Sequence, residues 1–278
     1  MKRALVFGGT GMLGRAVAAH WRRRGAAALA LSHAQADVTD RGALAEWTDR
    51  FRPELVVNCA AFTRVDDCET ERERAMATNG AAVANVVAAA ERAGADLVQV
   101  STDYVFDGES GLPYGEDAPT APLSVYGESK LAGEREALVY PRSLVVRSSW
   151  LFGPGGPNFV TAMLRLAGGP LRVVDDQVGC PTYTPFLARA IWDLAGHGTR
   201  GVIHYCNRDA VSWYGFAREI LGPHAEIEPV TTAEFPRPAP RPARSVLDVS
   251  RFQRVAGRRV EPWTHGLGHY LETSGDDP

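Results

Sequence analysis

Short apolar runs, each followed by a turn and then a stretch with helical period, recur along the first 150 positions. Ala4 to Phe7 reads as a buried strand ending in Gly8-Gly9-Thr10-Gly11-Met12-Leu13-Gly14, after which Val17, Trp21 and Arg24 mark a helix stopped by Gly25. Ala27 to Leu31 gives a second strand, and Arg41 to Phe51 a helix capped by Thr39 or Asp40. Leu55 to Cys59, Leu97 to Val100 and Leu144 to Val146 supply further strands. Between them lie an alanine-rich helix from Asn79 to Ala93 closed by Gly94, a Gly/Pro/acid-rich loop from Asp107 to Pro122, and a helix around Tyr126.

This alternation predicts an α/β, Rossmann-like, doubly wound parallel sheet. Beyond Trp150 it loosens into Gly153-Pro154-Gly155-Gly156-Pro157, a helix from Asn158 to Ala167 and a polar loop from Asp175 to Thr182. A helix from Pro185 to Leu194, a strand from Val202 to Cys206 and a helix from Ser212 to Leu221 follow. We expect a dinucleotide-binding domain over 1–149 plus part of 183–206, and a smaller substrate lobe over 150–182 and 207–278. The tail Ser274 to Pro278 is expected to fray.

With 278 residues the chain can bury a sizeable core, and a net charge of −3 leaves no basic footprint for nucleic acid. No apolar stretch reaches membrane length, and the four apolar residues after Arg3 are too few for a signal peptide. Cys59, Cys68, Cys180 and Cys206 are widely spaced, which fits a reducing cytoplasm. The seven histidines show no metal-binding spacing, so no metal is expected. Oligomeric state is not encoded in any visible pattern, and a homodimer is compatible with the sequence.

Gly8, Gly11 and Gly14 follow a strand and open a helix, the frame in which a backbone approaches a pyrophosphate and a helix N-terminus donates to it. Thr10, Met12 and Leu13 belong to the same loop. Ala60 and Ala61, with Phe62 and Thr63, follow the third strand and leave room for a ribose and phosphates, while Asp37 and Val38 can flank an adenine. The second strand ends in Ser32-His33 without a carboxylate to repel a 2′-phosphate or an arginine to clamp one, so NADPH is favoured and NADH stays open.

Tyr126 and Lys130 stand four residues apart, one turn along one helix face. Only Lys2 and Lys130 are lysines among 30 basic residues, which singles out the pair. An ammonium beside a phenol is expected to lower its pKa and make Tyr126 a proton donor to a carbonyl. Thr102, at a strand's carboxyl end, is a candidate donor to the same oxygen. Asn79 reads either as a buried polar bridge to this site or as a core Asn with local bonds. The acidic run from Val65 to Glu69 reads as the start of a solvated helix without chemistry. Phe235 to Pro242 reads as a rigid flap carrying Arg toward an anionic substrate, or as a polyproline ligand for another protein.

Gly8-x-x-Gly11-x-x-Gly14, Ser101-Thr102-Asp103-Tyr104-Val105-Phe106-Asp107-Gly108, Tyr126-Gly127-Glu128-Ser129-Lys130-Leu131-Ala132-Gly133-Glu134 and Arg147-Ser148-Ser149-Trp150 resemble the extended short-chain dehydrogenase/reductases, and among them the dTDP-4-dehydrorhamnose reductases. Asn158-Phe159, Asp176-Gln177-x-Gly179-x-Pro181-Thr182 and Arg241-Pro242-x-x-Ser245-x-Leu247 extend the likeness over nearly the whole chain. The resemblance implies NADPH or NADH as cofactor, a dTDP-sugar as substrate and reduction at C4 of a keto sugar. It implies that Tyr126 protonates the C4 oxygen, Lys130 holds the nicotinamide ribose, Thr102 bonds the same oxygen and Trp150 packs on the sugar. Asp103, Val105 and Asn158 fall on the substrate side. Ser129 and Ser148 stand where Thr is common. A dehydratase of the same class needs a Glu after Thr-Asp, where this chain has Tyr104. The regulatory subunit of methionine adenosyltransferase, a non-catalytic relative, is the other reading, as is a reductase of another nucleotide-linked 4-keto-6-deoxysugar.

Overall fold

A computed structural model describes residues 3–274, so Lys2 and the tail beyond Ser274 lie outside the described residues. In chain order the elements are β1 (Arg3–Phe7), α1 (Met12–Arg23), β2 (Ala27–Leu31), α2 (Arg41–Phe51), β3 (Leu55–Asn58), α3 (Val65–Thr70), α4 (Arg72–Ala75), α5 (Ala82–Ala93) and β4 (Asp96–Thr102). They continue with α6 (Val125–Leu138), β5 (Ser143–Ser148), β6 (Leu151–Phe152), α7 (Phe159–Leu166), β7 (Leu171–Val174), β8 (Val178–Gly179), β9 (Thr182–Tyr183), α8 (Thr184–Gly196) and β10 (Gly201–His204). Last come β11 (Val211–Ser212), α9 (Trp213–Leu221), β12 (Ile227–Val230), α10 (Ser250–Ala256) and α11 (Trp263–Ser274).

Six strands form a parallel sheet in the order β10-β5-β4-β3-β1-β2. Period-two alternation sorts its side chains. Ala4, Val6, Leu55, Val57, Val98 and Val146 face a layer with Val17, Trp21, Leu187 and Ile191 of α1 and α8. Leu5, Phe7, Val56, Leu97 and Val145 face a layer with Leu44, Val83, Val86 and Ala90 of α2 and α5. Because helices cover both faces, the strands read as unbroken apolar runs, each buried Val or Leu worth about 1.5–3 kcal/mol. The chain leaves β1 outward to β2 and returns to β3 on the other side, so the ligand crevice opens above β1 and β3.

A third core gathers Phe152, Val160, Phe216, Trp263 and Leu267 around α7, α9 and α11. Here the structure departs from the sequence reading. The segment expected as one polar loop, Asp175 to Thr182, contains β8 and β9, because β8 pairs antiparallel with β11 and β9 pairs parallel with β6, Thr182 N donating to Trp150 O at 3.1 Å. The helix expected from Asn79 begins in a π-helical turn, Met76–Ala81. There α6 crosses so closely that a Cβ on Gly133 would sit 2.1 Å from Asn79 O. Asp40, rather than Thr39, caps α2, its carboxylate accepting from Gly42 N and Ala43 N.

Candidate active site

The glycine loop runs from β1 into α1. Gly8 has φ +69°, and a Cβ there would lie 2.6 Å from Ala60 N; a Cβ on Gly14 would lie 2.3 Å from Gly8 O. No side chain caps α1 at Gly11, which leaves amide donors at the helix start facing the crevice. A cavity of about 520 Å³ is lined by Gly8, Thr10, Gly11, Asp37, Val38, Ala60, Ala61 and Phe62. Its chemistry fits an adenine dinucleotide: amides and small residues on the phosphate side, apolar and polar edges on the other. His33 and Arg74 also line it. No sequence motif marks Arg74; it lies over the Phe62 ring at 4.6 Å and pairs with Glu71 at 2.7 Å. Burial would raise Asp37, but hydrogen bonds from Thr39 outweigh it and hold the carboxyl below its ordinary range.

A second cavity, about 480 Å³, shares Gly11, Cys59 and Ala61 with the first and is lined by Met12, Leu13, Gly14, Thr63, Thr102, Asp103, Tyr126, Lys130 and Trp150. Three elements converge on it. Strand β4 delivers Thr102, whose hydroxyl donates to Asp103 Oδ1 at 3.1 Å and accepts from Tyr104 N at 3.2 Å. Helix α6, capped by Ser124, carries Tyr126 and Lys130, and Lys130 Nζ donates to Val100 O at 2.7 Å. Past β5, Trp150 takes φ +47° and stacks flat on Trp213 of α9, centroids 3.5 Å apart.

Asn79 settles as the bridge: its Oδ1 accepts from Phe62 N at 2.7 Å, and its Nδ2 donates to Phe62 O and to Ser129 Oγ, both at 3.0 Å. Ser129 Oγ in turn donates to Tyr126 O at 2.8 Å. The loop that borders the first cavity is thereby tied to the helix that carries Tyr126.

The downward shift expected for Tyr126 is not found. Burial, followed by the neighbouring Asp103, pushes the Tyr126 phenol well above its usual value, and the hydrogen bond from Thr102 offsets only part of this. The ammonium points at the Val100 carbonyl instead, and burial lowers Lys130 to about 8. Burial also raises Asp103 to about 6, against bonds from Ser245 and Thr102. At neutral pH Tyr126 is a neutral phenol, the form that can donate a proton.

Two residues of the substrate set sit elsewhere. Val105 is fully buried in a cluster with Phe106, Tyr114 and Leu247. Asn158 caps α7, and its amide donates to Gly153 O, Gly156 O and Tyr270 OH, at 3.0, 3.1 and 3.1 Å. Neither lines the catalytic cavity.

The run from Val65 to Glu69 forms α3 and touches the start of α6, where Glu69 Oε1 accepts from Val125 N at 2.9 Å. One further reading is corrected. The flap arginines do not project toward a free anion, because a carboxylate of this chain already takes them. Asp66 pairs with Arg237 at 2.5 Å and Arg241 at 2.9 Å, and accepts from Ala239 N at 3.2 Å. Burial would raise Asp66, but these bonds outweigh it and keep the carboxyl ionised below its ordinary range. Asp66→Asn should therefore free Phe235–Pro242, seen as faster hydrogen–deuterium exchange there; unchanged exchange would show that the proline backbone alone holds the flap.

A parallel sheet with a glycine-lined crevice, beside a cavity that gathers Thr102, Tyr126 and Lys130, is the architecture of the extended short-chain dehydrogenase/reductase class. Residues 1–275 match the family described as RmlD substrate binding domain, and the chain belongs to it. A dTDP-4-dehydrorhamnose reductase of Streptomyces griseus is 45% identical, covering 95% of this chain and 91% of its own. The crystal structure of a dTDP-4-dehydrorhamnose reductase from Clostridium acetobutylicum superposes with a TM-score of 0.94 at 36% identity, covering 98% of this chain and 99% of its own. The corresponding Bacillus anthracis enzyme, in complex with NADP, gives 0.93 at 33% identity, covering 98% and 100%.

Proposed function

We propose that this protein reduces the C4 keto group of dTDP-4-dehydro-L-rhamnose to give dTDP-L-rhamnose, using NADPH and, less well, NADH. The observation that carries the reading is the convergence of Thr102, Tyr126 and Lys130 on one cavity that joins the glycine-lined one. When bound, NAD(P)H supplies the hydride. Gly8, Thr10, Gly11, Met12, Leu13 and Gly14 would hold its phosphates, Asp37 and Val38 its adenine end, and Ala60, Ala61, Phe62 and Thr63 the stretch between. Tyr126 gives its phenolic proton to the C4 oxygen as negative charge develops there, Thr102 donates to the same oxygen, and Lys130 holds the nicotinamide ribose and steadies the phenolate left behind. Trp150, its ring stacked on Trp213 and covered by Gly179, would meet the sugar at its cavity-facing edge, and the Thr102 hydroxyl, which donates to Asp103 Oδ1 in this structure, would turn its one proton to the C4 oxygen.

In this reading residues 1–149 with part of 183–206 bind the dinucleotide, and 150–182 with 207–278 hold the sugar nucleotide. Tyr104 stands where elimination needs a Glu, and its ring meets Tyr126 edge-on, centroids 5.6 Å apart, which favours reduction. No helix among the described residues is long and apolar enough to cross a membrane, and the four cysteines are free; we place the protein in the cytoplasm.

The test is loss of 340-nm absorbance with NADPH, then NADH, and enzymatically generated dTDP-4-keto-L-rhamnose. Turnover with faster NADPH oxidation is expected. Binding of NADPH without oxidation would move the assignment to another 4-keto-6-deoxysugar nucleotide or to a regulatory role.

A further inference from the structure

Behind the catalytic cavity, Glu134 of α6 meets β4 and β5 at once. Its Oε1 accepts from Ser101 Oγ at 2.5 Å and Arg147 Nε at 2.8 Å, and its Oε2 from Arg147 Nη2 at 2.7 Å. The Glu134 and Arg147 side chains are only 2% and 5% exposed. Ser101 immediately precedes Thr102 on β4 and lies opposite Arg147 of β5 in the sheet register. Glu134 itself lies one helical turn past Lys130 on α6. A buried ion pair is a poor source of stability, since an apolar replacement often does as well, so its presence here calls for a positional reason.

We propose that Glu134 is a positioning residue for the catalytic site, its carboxylate tying the strand end that carries Thr102 to the helix that carries Lys130 and balancing the Lys130 ammonium from within the protein. The proposal rests on the roles given above to Thr102 and Lys130. Burial disfavours the Lys130 charge, and Glu134 is the foremost group opposing that, ahead of Cys59 at the end of β3. Asp103 and Tyr126 share the cavity with Lys130, and Arg147 stands behind Glu134. His204 of β10 lies 3.4 Å beyond Arg147; burial and that arginine push it to about 3, so it is neutral and adds no charge.

The chain has two lysines, Lys2 and Lys130, so protein labelled at lysine Cε gives two lysine signals, and Lys2→Arg identifies that of Lys130. In Glu134→Gln the Lys130 titration midpoint should fall by about 1 unit or more, as expected when a close opposite charge is removed, and stay near wild type in Glu134→Asp. The alkaline limb of kcat/KM should move by the same amount. Should Glu134→Gln fail to fold because Arg147 is left uncompensated, Glu134→Gln/Arg147→Met removes both charges and should lower the midpoint in the same direction. A midpoint matching wild type in whichever of these variants folds would overturn the proposal. Absence of keto-sugar turnover in wild type would instead sink the functional reading and leave the Lys130 midpoint as a test of the frame.

Discussion

Tyr126→Phe should lower kcat/KM by roughly 10²- to 10⁴-fold, the usual worth of a positioned general acid, while NADPH binding stays within about twofold. The substitution removes one hydroxyl and keeps the ring, so the edge-on packing against Tyr104 survives. The loss should be in the chemical step because the phenol lines the cavity as a neutral group with a proton to donate. Burial and Asp103 hold that proton on Tyr126 at neutral pH. Thr102 and Lys130 remain in the variant and should leave a residual rate. Steady-state kinetics with cofactor binding measured separately decides the matter: a drop below tenfold would mean that Thr102 or a water molecule delivers the proton.

That site was legible in the sequence where chemistry is local. Gly8, Gly11 and Gly14 lie between an apolar run and a helical period, and Tyr126 and Lys130 lie one turn apart, so spacing alone put each in its place. What it could not show depends on contacts between distant positions. Trp213 stacks on Trp150 from α9, and a Cβ on Gly179 would lie 2.5 Å from the Trp150 ring; nothing near Trp213 in the chain announces this except an aromatic directly after the Ser212 cap. The strands β8 and β9 have two residues each, too few for any period to register. Local spacing also points the Tyr126 shift the wrong way, because it cannot show how deeply the phenol is buried beside Asp103 or that the Lys130 ammonium is turned to Val100 O. Asp66 reads as solvent-facing for a similar reason: its partners come from a flap some 170 positions later.

Replacing Lys130 by Met should slow the enzyme and stabilise the fold at once. For catalysis, removing a buried cation that lines the same cavity as Tyr126 should cost about 10²- to 10³-fold in kcat/KM. For stability the sign runs the other way. Lys130 is 4% exposed, and its folded pKa of about 8 lies below the ordinary 10.5. Below pH 8 both folded and unfolded chains hold the proton, and the full burial cost of the charge is present, roughly 3 kcal/mol for a shift of this size. Between pH 8 and 10.5 the unfolded chain binds more protons than the folded one, so wild-type stability climbs with pH across that window and the cost is relieved. Methionine never carries the cost, and the Val100 carbonyl vacated by Lys130 keeps a bond from Gln99 Nε2 at 3.1 Å. Lys130→Met should therefore unfold at higher denaturant than wild type at pH 7, with the gap closing toward pH 10.5. Equilibrium unfolding across that range tests it: a variant weaker than wild type at pH 7, or a gap indifferent to pH, would mean that the ammonium is held by the fold for stability and not kept at a cost for the reaction.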